Sequence, residues 1–139
     1  MTRREAMAGS SQIGTKGSSM QVSEERYSVD VTLEESGLRV HFHGTISTMN
    51  PAAVLNPFVD SVHEELVRTH ARNVRIDLRE LEFCNSSGFK TFIHWIELIK
   101  KLPAEQRYRL RFVSSPARKW QRTSLLALSC YGVDAVVVE

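Results

Sequence analysis

The chain has 139 residues, room for one domain of ordinary size around a single hydrophobic core. An apolar share of 42% and a charged share of 24% exclude a disordered, collagen-like or fibrous chain as a whole, and the longest apolar runs, Leu125–Leu128 and Val136–Val138, fall far short of the roughly 20 residues that span a bilayer. A net charge of +2 does not by itself point to nucleic acid.

Residues 1–25 are rich in Ser and Gly and poor in large apolar side chains, which reads as a disordered tail or expression remnant ahead of a domain over 26–139. The charged start has no apolar run behind it, so no secretory leader is expected and the cytoplasm is the expected compartment. From Tyr27 the pattern alternates: Tyr27, Val29, Val31 and Leu33 share one face, and Ser28, Asp30 and Thr32 the other, as a half-buried strand requires. Glu34-Glu35-Ser36-Gly37 reads as a hairpin turn into a second strand with Leu38, Val40 and Phe42 on its core face and Arg39, His41 and His43 opposite.

Gly44-Thr45-Ile46-Ser47-Thr48 leaves that strand, and a helix is expected to start between Asn50 and Pro57, since Asn caps well and Pro suits a first turn. Val74–Leu78 forms a bounded apolar strand suited to a central position. Phe89, Phe92, Ile93, Ile96 and Ile99 then recur at helical spacing from a start near Ser86, and Pro103 closes that helix. Tyr108, Leu110 and Phe112 alternate with Arg107, Arg109 and Arg111 in a fourth strand. A third helix carries Trp120, Leu125, Leu126 and Leu128, Gly132 is placed to end it in a left-handed cap, and Ala135–Val138 is a last short strand. The order β-β-α-β-α-β-α-β predicts an α/β domain with a mixed sheet, its parallel strands joined by right-handed crossovers.

The junction before the second helix carries the most chemistry. Asn85 and Ser86 have short side-chain acceptors suited to a helix N-cap, and the first turn beyond leaves backbone N–H groups and the positive dipole end for an anion. A phosphoserine there would be electrostatically welcome. Capping alone also explains the residue types. No catalytic set is read: His94 lies about two helical turns beyond Ser87, and a hydrolase elbow wants Gly on both sides of its Ser. His41 and His43 share a strand face, but no Cys or carboxylate stands at a spacing that completes a metal site, so none is assigned. Cys84 and Cys130 are expected to be reduced. No glycine-rich phosphate loop appears, and no cofactor is expected. From Lys100 to Arg122 eight bases face Glu105 alone, so some surface there is positive. A nucleic-acid or anionic-surface binder using that run is the weaker reading, because Tyr108 and Phe112 alternate toward the core instead of interleaving with the exposed bases.

This element order, with Asp77-Leu78-Arg79-Glu80-Leu81-Glu82-Phe83-Cys84-Asn85-Ser86-Ser87-Gly88-Phe89 at its centre, resembles the STAS domain of sulfate transporters and anti-sigma-factor antagonists. Members typically show an Asp-Leu strand followed by Asp-Ser-Ser-Gly opening the second helix; Gly44-Thr45-Ile46-Ser47 is similar to their Gly-x-Leu-Asp loop. The resemblance implies a regulatory module without catalysis of its own. It also implies a kinase-type anti-sigma factor that phosphorylates the second Ser of the motif, here Ser87 (Ser86 being the weaker candidate), and a PP2C-type phosphatase that reverses the change. The partner surface would comprise Asn85, Ser86, Ser87, Gly88, Phe89 and Lys90 with Thr45, Ser47, Thr48 and Asn50. Asn85 stands where the family has Asp, and Thr45–Thr48 lacks the family's loop Asp. A scaffold subunit that is never phosphorylated is the alternative.

Overall fold

The structure, a computed structural model, describes residues 20–139. Six strands form one sheet in sequential order: β1 (Met20–Ser23), β2 (Tyr27–Glu34), β3 (Gly37–Ile46), β4 (Asn73–Cys84), β5 (Arg109–Val113) and β6 (Val136–Val138). The pairs β1-β2 and β2-β3 are antiparallel, whereas β3-β4, β4-β5 and β5-β6 pair in parallel. Three helices, α1 (Ala52–Arg68), α2 (Ser86–Lys100) and α3 (Lys119–Tyr131), supply the crossovers. All three crossovers step the same way along the sheet, so the usual right-handed connection lays every helix on one face. The side chains agree. Val29, Val31, Val40, Phe42, Val74, Ile76, Leu110 and Phe112 are buried on the helix side, while the residues alternating with them are mostly charged and line an open face.

The core sits between sheet and helices, with Phe92 of α2 as its centre. Its ring meets Phe42 of β3 and Phe112 of β5 edge-on, both at 5.4 Å between centroids. On the open face, Asp77 is only 6% exposed and binds Arg79 through Nε (3.0 Å) and Nη2 (2.7 Å) and Arg39 through Nη2 (2.6 Å). Burial alone would raise its pKa, but the hydrogen bonds from Arg79 and Arg39 hold the carboxyl well below the usual range.

Several expectations shift. Met20–Ser23 belong to the sheet: β1 pairs with β2 (Met20 opposite Val31, Val22 opposite Val29), and Met20 and Val22 are buried. Four residues next to a Ser/Gly-rich stretch were too few to show a period, so the boundary at 25/26 moves; the expectation for 1–19 lies outside the described residues. Asn50 does not cap α1. Pro51 holds the cap position without a side-chain bond, Asn50 contributes its carbonyl to Ala53 N–H, and Pro57 lies inside the helix. Gly132 has φ −121° and ψ 62°, not left-handed. A Cβ there would lie 2.9 Å from Ile96 Cγ2, so α2 packing is what demands glycine. Strand β4 runs six residues past the expected Leu78, and a short 3-10 turn occupies Ala104–Gln106. No helix among the described residues is long and apolar enough to cross a membrane.

Candidate functional site

Strand β4 continues to Cys84 although its pairing with β5 stops at Asp77–Val113. Its outer half is held on one side by β3, through Thr45–Phe83 and Ile46–Cys84, and on the other by α3. There Gln121, fully buried, donates to the carbonyls of Leu78 (2.6 Å) and Leu81 (3.0 Å) while its Oε1 accepts from Ser115 N–H (2.9 Å). Trp120 Nε1 donates to Glu82 O at 2.9 Å and Arg118 Nε to Arg79 O at 3.0 Å. Side chains of α3 thus replace the missing strand, and the backbone entering α2 is fixed.

At the end of that extension Asn85 caps α2, with φ −73° and ψ 172°. Its Oδ1 accepts from Gly88 N–H at 2.7 Å and its Nδ2 donates to Thr48 O at 2.9 Å, while its own N–H donates to Ile46 O at 2.9 Å. One amide therefore binds the start of α2 to the β3–α1 loop. A carboxylate could cap the helix but could not donate to Thr48. Gly88 is buried, and a Cβ on it would lie 2.7 Å from Ile46 Cγ2 and 2.9 Å from Cys84 Sγ, so the first turn of α2 rests directly on the strand ends. Burial pushes the Cys84 thiol up to about 12, which leaves no thiolate here at neutral pH.

Ser86 is exposed and Ser87 half-buried; they occupy the first two positions of α2, and no acidic residue stands in that turn. Their N–H groups come before the first intrahelical bond, Phe89 N–H to Asn85 O at 3.0 Å. Lys90, exposed, lies one turn beyond Ser87. The positive helix end faces a solvent-accessible hydroxyl without local opposition.

A crystal structure of an anti-sigma factor antagonist from Mycobacterium paratuberculosis superposes on this chain with a TM-score of 0.56 at 22% identity, covering 80% of this chain and 85% of that one. The fold is STAS-like. No family model matches the sequence, and no curated protein matches it significantly.

The STAS-like fold brings the two expected segments together: Asn85–Lys90 opens α2, and Thr45–Asn50 lies beside it, joined by the Asn85–Thr48 and Asn85–Ile46 bonds. Thr45 is half-buried at the end of β3, whereas Ser47, Thr48 and Asn50 are exposed. Phe89 is half-buried, its ring 5.7 Å from Phe92, so only part of it faces out. Two residues outside the expected partner surface stand next to its segments in the chain. Met49 is 96% exposed at the loop tip and Phe83 is 48% exposed at the end of β4. An apolar residue in a polar loop was the available signal for Met49; Phe83 was hidden by the bulged register of β4. Of the eight Lys100–Arg122 bases, Arg107, Arg111 and Arg118 are held by bonds within the chain. Arg107 donates to the carbonyls of Lys100 and Leu102, Arg111 bonds Glu139 at 2.8 Å, and Arg118 is spent on β4.

Proposed function

We propose that this protein is a partner-binding regulatory module acting as a phosphorylation-controlled switch, with Ser87 as the phosphoacceptor and no catalysis of its own. The observation that carries the reading is Ser87 on the first turn of α2, with exposed Met49 in the loop that Thr48 ties to Asn85 and exposed Phe83 two residues before that cap, within a fold shared with an anti-sigma factor antagonist. The unphosphorylated surface offers two apolar side chains on a backbone fixed by Asn85, so docking costs little ordering. Phosphate at Ser87 adds about −1.5 to −2 charges, accepts from the first-turn N–H groups and pairs with Lys90 one turn on. That charge beside Met49 and Phe83 opposes apolar docking and releases the partner. By resemblance the partners are a kinase-type anti-sigma factor and a PP2C-type phosphatase, in the cytoplasm.

Intact-mass and peptide mass spectrometry of protein from its native cells, across growth conditions, is expected to place phosphate on Ser87. Ser87→Asp is expected to weaken the partner complex at least about tenfold while Ser87→Ala leaves it intact. A persistently unmodified Ser86-Ser87 peptide together with equal affinity of both variants would replace this reading with a constitutive scaffold subunit.

A further inference from the structure

The open face of the sheet gathers what sequence spacing could not. His41 and His43 project from β3, and Asp30 of β2 lies directly opposite His41 in the antiparallel register and diagonal to His43. Asp30 Oδ1 is 3.9 Å from His41 Nδ1, and Asp30 Oδ2 is 3.6 Å from His43 Nε2. One ligand atom from each of the three residues falls within 4.8 Å of the other two. With metal–ligand bonds of about 2.0–2.2 Å, tetrahedral ligands stand about 3.3–3.6 Å apart, so side-chain rotations that move the ligand atoms by about an ångström bring Asp30 and both imidazoles into range.

Two further features suit an ion here. His41 Nε2 is buried without a hydrogen-bond partner, 3.4 Å from the Asp77 carboxylate that Arg39 and Arg79 fix in place. A metal on Nδ1 makes Nε2 the protonated nitrogen and turns it toward Asp77, the carboxylate–histidine–metal arrangement that orients such ligands. Beside the cluster lies a concavity of about 220 Å³ lined by His41, His43, Asp77, Arg79 and Glu80. It leaves room for a fourth ligand, water or a group brought by another molecule.

We propose that Asp30, His41 and His43 form a binding site for one divalent ion of the zinc class on the open sheet face, separate from the α2 site. Two imidazoles and one carboxylate favour zinc over magnesium or calcium, which want oxygen ligands. The ion ties β2 to β3 and keeps one coordination position open.

Calorimetric titration of the full-length, chelator-treated protein with zinc chloride is expected to give one site, and zinc is expected to raise Tm. Asp30→Asn and His43→Gln each weaken binding at least about tenfold and abolish the Tm rise, with folding checked by far-ultraviolet circular dichroism. His70→Gln, His94→Gln and Cys130→Ser, which alter imidazoles and a thiol outside the cluster, leave binding unchanged. Absence of zinc binding to the parent protein would overturn the proposal, as would binding that survives both Asp30→Asn and His43→Gln or disappears with Cys130→Ser.

Discussion

At the scale of single residues, Asn85 shows why an amide and a carboxylate are not interchangeable at one helix cap. Its oxygen performs the capping that Asp would perform, yet its nitrogen holds the Thr48 carbonyl, a contact that requires a donor. Asn85→Ala loses both bonds and is expected to cost about 1–2 kcal/mol in urea denaturation. Asn85→Asp keeps the cap, gains from the helix dipole and sets a carboxylate against a carbonyl, so global stability changes by less than about 1 kcal/mol. Its expected signature is local: faster amide hydrogen exchange over residues 47–50 with α2 protection intact. Unchanged exchange in that loop would show that the Thr48 bond does not hold it.

At the scale of elements, the extension of β4 depends on α3 standing in for a strand. Gln121 is the central contact, giving two hydrogen bonds and accepting one with no exposure to water. Gln121→Met keeps the volume but removes all three partners, and is expected to cost about 2 kcal/mol, read as a lower urea midpoint. A loss confined to a few tenths would mean that the β4 carbonyls find other donors. The same element marks where the sequence stopped being legible. Strand β2 as far as Val31, β3, the first half of β4, β5 and the apolar stripe of α2 follow periods of two or of three and four, whereas Leu33, placed by the same period on the core face, is 63% exposed at the end of β2. Beyond Leu78 two bulges each insert an extra β4 residue, between His41–Asp77 and His43–Glu80 and again between Gly44–Leu81 and Thr45–Phe83. Leu78 and Leu81 consequently share the buried side, and alternation fails. The Asn85 cap was readable because capping is local; its bond to Thr48 and the Asp30–histidine cluster were not, because cross-strand and loop contacts join residues far apart in sequence.

At the scale of the whole molecule, one polar chain crosses the helix layer and connects it to the start of β5. Trp95 of α2 donates to Tyr108 Oη at 2.8 Å, and that oxygen lies 2.6 Å from His63 Nδ1 of α1. Trp95 occupies one of the two lone pairs of the tyrosine oxygen, and when the hydroxyl gives its proton to His63 Nδ1 the imidazole is a neutral acceptor. Burial lowers the His63 pKa from 6.5; Asp60 and Glu64 oppose the shift and His94 adds to it. A depressed folded-state pKa means that the unfolded chain binds the proton first as pH falls. The stability contributed by neutral His63 is thus fully present above about pH 6.5 and is lost as pH drops from there toward the lower folded-state value. His63→Gln keeps an acceptor for Tyr108 but cannot titrate. Urea denaturation at about pH 7.5 and about pH 5.5 is expected to show a smaller acid loss in His63→Gln than in the parent protein, since the other four histidines are common to both. Equal losses would mean that His63 accepts its proton without breaking the chain to Tyr108, and that the coupling of α1 to α2 and β5 rests on apolar packing alone.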